Sequence, residues 1–222
     1  MRKKCFSFIL CTVLISALAG CANSDRASEP ERVEVVSAEE ALNELMEGNE
    51  EFTSGNTEKL RADLAENGQA PYAVVITCSD SRVAPEVLFH TTMGEIFTIR
   101  TAGNVVDSFE IGSVEYGVEH LGAPLVVVMG HSNCGAVSAA LGGEAEGSIQ
   151  NIIDEIAPSV EEAKKRETEE SAVSALAEDL NIQNTIQKLR TSTILSHLET
   201  EGEVKIIGAK YDIKDGTVEI LE

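Results

Sequence analysis

Apolar residues along this chain follow two rhythms. Three short runs, PYAVVIT (71–77), EIFTIR (95–100) and PLVVVMG (124–130), are continuous and rich in β-branched side chains. Runs of that kind suit strands buried on both faces, as in a parallel sheet. Between the second and third, FEIGSVEYGVEHLG (109–122) places Ile111, Val114, Val118 and Leu121 on one helical face. Strand, helix and strand in that order predict a parallel pair joined by a right-handed crossover. Beyond Gly135 the pattern is helical for most of 60 residues, with Ile149, Ile152, Ile153 and Ile156 on one stripe and Leu176, Leu180, Leu189 and Leu198 on a longer one. Pro158 is expected to divide or restart a helix there, because it lacks a backbone donor. VKIIGAKYD and TVEILE, separated by Lys214-Asp215-Gly216, close the chain as strand, turn and strand.

Upstream of the first run, Ser37 and Glu40 have capping-box spacing, and Ala41, Leu42, Leu45 and Met46 recur at helical intervals. A second short helix is expected over 57–66. The pattern predicts one α/β domain over residues 37–222. It has a mostly parallel central β-sheet of four or five strands, flanked by helices and preceded by an N-terminal helical extension.

The first twenty residues follow a different logic. Arg2, Lys3 and Lys4 precede about sixteen mostly apolar residues, the layout of an export signal. The run ends in Leu18-Ala19-Gly20-Cys21, which resembles the lipobox of bacterial lipoproteins, so Cys21 is the expected lipidation site. Residues 21–36 are polar and acidic with a single proline, suited to a flexible tether. The expectation is an exported protein held by lipid to the extracytoplasmic face of a bacterial membrane.

Charge narrows the partners. The net charge of −21 becomes −24 once the three leader cations are removed, since the leader carries no acid. Nucleic acid is excluded as a partner on that balance. The field does not attract anionic substrates, whereas small neutral molecules are indifferent to it.

With Cys5 and Cys11 in the leader and Cys21 at the lipid site, only Cys78 and Cys134 remain. Both stand where an apolar run stops: PYAVVIT meets Cys78-Ser79-Asp80-Ser81-Arg82, and PLVVVMG meets His131-Ser132-Asn133-Cys134. In open parallel sheets, ligands bind at the carboxyl ends of strands. If the two strands are neighbours, Cys78, Asp80, His131 and Cys134 converge. Two sulfurs, one imidazole nitrogen and a carboxylate suit Zn2+. Three protein ligands leave a fourth position for water, whose ionisation the metal assists. Asp80 then has two readings. Arg82 orients it as a carboxylate that accepts a hydrogen bond from that water, or Asp80 binds the metal itself. A Cys78–Cys134 disulfide is the non-metal alternative.

The pair CSDSR (78–82) and HSNCG (131–135) resembles the signature of the β-class carbonic anhydrases, CxDSR followed some fifty residues later by HxxC. The likeness runs from about residue 38 to 222 and includes Arg100-Thr101-Ala102-Gly103-Asn104 and the closing GAKYD. It implies zinc on Cys78, His131 and Cys134, one ion per chain, with Asp80 and Arg82 as the catalytic dyad. The implied reaction is reversible hydration of carbon dioxide to bicarbonate and a proton. Gly135 would steady a product oxygen through its amide, and Val83 would line the carbon dioxide site. The family also implies a homodimer or higher assembly, with the N-terminal helix wrapping its partner. In a regulated subtype, a tryptophan, an arginine and a tyrosine bind bicarbonate. Here Arg100 and Tyr116 resemble two of these, while Val75 occupies the tryptophan position, so no strong bicarbonate switch is expected. The motifs leave two rivals open: hydrolysis of carbonyl sulfide or carbon disulfide on the same metal, and a surface lipoprotein that binds zinc without catalysis.

Overall fold

The apolar runs assemble side by side. The computed structural model describes residues 37–143 and 145–221. Within them β1 (Ala73–Cys78), β2 (Ile96–Thr101), β3 (Leu125–His131), β4 (Lys205–Tyr211) and β5 (Val218–Leu221) form one sheet in the order β2-β1-β3-β4-β5. The first four are parallel to their neighbours, and β5 returns antiparallel on β4. The expected leader, tether and Cys21 lie outside the described residues.

Every residue of β1 is buried, and its side chains alternate between two packed layers. Val74 and Ile76 join Val126, Val128, Ile182 and Ile186 on one face, and Val75 joins Val127, Met129 and Ala209 on the other. The expectation of two-sided burial fails for β2. It is an edge strand and mostly half-buried, because among the described residues nothing pairs with its outer side.

Around the sheet lie α2 (Glu58–Asn67), α3 (Pro85–Leu88), α4 (Ser108–Glu115), α5 (Gly135–Gly142), α6 (Ile149–Arg166), α7 (Glu170–Leu189) and α8 (Thr193–Thr200). The Ile111-to-Leu121 pattern is met by α4 continued through a π turn, Tyr116–His120. Pro158 does not divide its helix, contrary to expectation; α6 runs straight through it. Its stripe is buried on both sides of the proline, by Ile153 and Ile156 before and by Val160 and Ala163 after. Burying those side chains offsets the roughly 3 kcal/mol that an interior proline costs.

The chain divides between Glu51 and Phe52. Most of α1 (Ala38–Ser54) falls in the first unit. Its capping box is formed as the sequence indicates: Ser37 Oγ accepts the Glu40 amide at 3.1 Å, and the Glu40 carboxylate accepts the Ser37 amide at 3.0 Å. Among the described residues, no helix is long and apolar enough to cross a membrane.

Helix α7 packs on β3 and β4, and Gly130 makes the approach possible. A Cβ at Gly130 would stand 2.7 Å from both Cδ1 and Cγ1 of Ile182. Gly130→Ala is therefore expected to lower stability by about 1–3 kcal/mol through overpacking. The loss should shrink in the Gly130→Ala/Ile182→Ala double variant, which removes both clashing carbons. Thermal unfolding of the four proteins checks this. Additive losses would show that the contact is not the cause.

Candidate metal centre

The parallel register of β1 and β3 aligns Thr77 with Met129, so Cys78, one residue on, and His131, two residues on, come to adjacent strand ends. Beyond β3 the chain reverses through Asn133, at φ 56°, a left-handed conformation that asparagine tolerates. Cys134 then forms the N-cap of α5. One ligand atom from each of Cys78, His131 and Cys134 lies within 4.8 Å of the others, and all three residues are buried. Both cysteines are free thiols, so the disulfide alternative is not the arrangement adopted.

The imidazole is set by its neighbour. His131 Nδ1 lies 3.0 Å from the Ser132 carbonyl oxygen. A carbonyl only accepts, so Nδ1 carries the hydrogen and Nε2 turns its lone pair inward. That Nε2 is buried and has no hydrogen-bond partner. An orphaned buried acceptor beside two sulfurs is costly unless a cation takes its lone pair. The donor set, two sulfurs and one nitrogen, fits zinc.

The sulfurs compete for a proton. The Cys134 thiol, donating to Cys78, holds the Cys78 pKa down despite its burial. The same contact, with burial, pushes Cys134 up, against the opposing pull of the Val137 and Ala136 amides at the start of α5. Burial works against charge on His131, but the Cys78 sulfur and the Ser132 carbonyl outweigh it and raise its pKa. A divalent cation is what allows both sulfurs to be thiolates at once.

Gly103 supports Cys78 directly, its amide donating to Cys78 Sγ at 3.2 Å. The position demands glycine. Its φ is 69°, and a Cβ there would meet Ile156 Cδ1 at 2.7 Å and Ala136 Cβ at 3.0 Å. The turn that Gly103 shapes is thus part of the centre, though nothing local in the sequence marks it as such.

Asp80 and Arg82 sit at the rim, outside the three-ligand set. Arg82 Nε donates to Asp80 Oδ1 at 2.9 Å and Nη2 to Oδ2 at 2.7 Å, a bidentate pair, and the Arg82 amide adds a third bond to Oδ1 at 2.9 Å. These contacts hold the Asp80 carboxyl well below the usual carboxylate range. Asp80 Oδ2 is 3.9 Å from His131 Nε2, so the dyad faces the ligand cluster without joining it. Arg100 ties the same loop from β2, donating to the Asp80 carbonyl at 2.7 Å and the Cys78 carbonyl at 3.2 Å. Val83 is wholly buried with Val75, Val127 and Met129. Gly135 opens α5, and a Cβ added to it would meet nothing within 4 Å. Tyr116 packs its ring near Phe97 and His120, with centroids 6.1 and 5.5 Å away, and Val75 is buried inside β1. A groove of about 560 Å³ beside Thr101, Asp107 and Glu155 is lined by none of the three ligands.

The carbonic anhydrase family profile matches residues 73–218, which contain every residue of this centre. Carbonic anhydrase 2 of Mycobacterium tuberculosis is 39% identical over 184 residues, covering 78% of this chain and 87% of that protein. Among solved structures, the Coccomyxa β-carbonic anhydrase in complex with acetazolamide is 27% identical, with a TM-score of 0.71 over 81% of this chain and 86% of that one. One of the two tetrameric β-carbonic anhydrases of Sordaria macrospora shares the fold at a TM-score of 0.76 and 24% identity, over 82% and 96% of the two chains. Cluster, profile and relatives agree, and the chain belongs to the carbonic anhydrase family, in its β class.

Proposed function

We propose that this protein catalyses the reversible hydration of carbon dioxide to bicarbonate and a proton at a zinc ion held by Cys78, His131 and Cys134. The observation that carries the reading is the buried cluster itself, three ligand atoms within 4.8 Å of one another with His131 Nε2 unpartnered. Cys78, His131 and Cys134 would hold the zinc, which would supply Lewis acidity that makes a water molecule nucleophilic near neutral pH.

The chain's own residues do the rest. Asp80, kept ionised by Arg82, can only accept hydrogen bonds, so it orients the reacting water rather than protonating it. Because Arg82 engages both carboxylate oxygens, Asp80 is held back from the ligand cluster. Gly135 leaves room for a product oxygen to approach the start of α5, where backbone donors and the helix dipole favour negative charge. Val83, beside the dyad, provides apolar backing for the carbon dioxide site.

Asp80→Ala is expected to retain zinc while hydration falls by about 100-fold or more, the scale on which a positioned acid–base group acts. Metal analysis with stopped-flow hydration checks it. A variant that loses zinc and activity together would contradict the role given to Asp80. A zinc-loaded wild type with no hydration activity would favour a binding protein instead.

Assembly and location belong to the same reading. The apolar side chains of α1 are open, with Leu42 57%, Leu45 72% and Met46 52% exposed. Such a face is suited to a second copy in a homodimer or larger assembly. Leu45→Glu should shift the protein toward smaller species in sedimentation, and an unchanged distribution would count against α1 as the contact. The lipobox-like leader supports a lipid tether at Cys21 facing outward from the membrane. Cys21→Ala should release the protein into the soluble fraction, and retention on membranes would refute the tether.

A further inference from the structure

Helix α7 carries a stripe of buried polar residues in an otherwise apolar face. Glu178, Asn181 and Thr185 are all buried, although Ala177, Ile182, Ile186 and Leu189 beside them make ordinary core contacts. Their spacing of three and four residues puts them in line along the helix. Each reaches a loop of the metal centre. Glu178 Oε1 accepts the Cys134 amide at 3.2 Å, Asn181 Nδ2 donates to the Gly103 carbonyl at 2.7 Å, and Thr185 Oγ1 donates to the Asn104 carbonyl at 3.1 Å. Gly103 in turn gives its own amide to Cys78 Sγ. One helix therefore holds both sulfur-bearing segments, Cys134 directly and Cys78 through Gly103.

Glu178 is itself anchored. A buried carboxylate is tolerated only when paired and fully hydrogen-bonded. Lys210 Nζ supplies the pairing to Glu178 Oε2 at 3.0 Å, and its other contacts go to Asp179 Oδ1 at 2.7 Å and the Ala175 carbonyl at 3.0 Å. The three donors of the ammonium meet three acceptors on α7. Burial works against the Lys210 charge, but the two carboxylates more than restore it and raise its pKa. Lys210 stands on β4 opposite Gly130, and the next residue, Tyr211, accepts the Ser132 amide at 2.9 Å. The ligand loop after β3 is thus clamped between α7 and the end of β4.

We propose that Glu178 and Asn181 are positioning residues that set the separation of the two thiolate ligands, with Lys210 locking Glu178 in place. The proposal rests on the zinc reading above. It gives the metal centre a rigid ruler on a helix that contributes no ligand. Hydrogen-bonded partners behind metal ligands commonly govern affinity by about 10–100-fold.

The test uses the full chain and measures zinc affinity by chelator competition, the sulfur-to-metal charge-transfer spectrum of the cobalt-substituted protein, and unfolding of the metal-free form. Glu178→Asp keeps the charge but shortens the reach, and Asn181→Leu keeps the bulk but removes the donor. Each should lower zinc affinity by about 10–100-fold and shift the cobalt–thiolate band, with metal-free unfolding near wild type. Asp179→Asn, next to Glu178 and also paired with Lys210, should change neither reading. Wild-type zinc affinity and spectrum in both test variants would overturn the proposal. So would an equal loss in Asp179→Asn. A test variant that fails to fold without metal while Asp179→Asn folds would also overturn it, by making the stripe a determinant of the fold. Failure of the wild type itself to bind zinc would instead sink the zinc reading.

Discussion

The sulfurs of Cys78 and Cys134, confined with an imidazole within 4.8 Å in a buried pocket, repel each other as soon as both ionise. Protons relieve this only by an unequal division, with the Cys78 pKa held down and that of Cys134 pushed up. The fold counters the repulsion with backbone dipoles. Gly103 donates to one sulfur, the first turn of α5 faces the other, and the Ser132 carbonyl fixes the imidazole tautomer. The β1–β3 register is the framework for all of it, because a slip of one residue would turn the side chains of one strand to the opposite face and part Cys78 from His131.

The dyad follows the opposite strategy. Asp80 and Arg82 lie at the rim, where Arg82 is half-exposed and solvent is within reach for the proton the reaction must discharge. A surface ion pair of this kind contributes little to stability. Its value lies in orientation. Two guanidinium bonds and the Arg82 amide fix the carboxylate plane, while Arg100 holds the Asp80 carbonyl from β2. The acidic surface is compatible with this chemistry, since carbon dioxide carries no charge and an anionic product gains nothing by lingering in a negative field.

How much of this could be read from the chain depended on range. The three ligands and the dyad were legible because each stands where a continuous apolar run breaks into polar residues, a local signal. The sheet, with its closing antiparallel strand, was legible for the same reason. Pro158 misled because helix propensity is local, whereas the stripe from Ile153 to Ala163 that overrides it is tertiary. The open edge of β2 depends on strand order, which the apolar run itself does not encode. The part Gly103 plays leaves no local trace in the sequence, because its bond to Cys78 spans 25 positions.

The polar stripe on α7 leaves the faintest trace in the sequence. Glu178, Asn181 and Thr185 interrupt an apolar pattern at the intervals that core residues would occupy. From sequence alone they resemble an ordinary solvated edge of an amphipathic helix. Their burial shows the difference, because a polar side chain in the core must be matched by a specific partner and each of these finds one on a ligand loop. The ligand loops cannot shift freely without leaving buried polar groups unpaired, at about 1–3 kcal/mol for each. The same cost that makes a buried polar group a liability here makes it a constraint on geometry, and it acts on the segments whose spacing sets the metal centre.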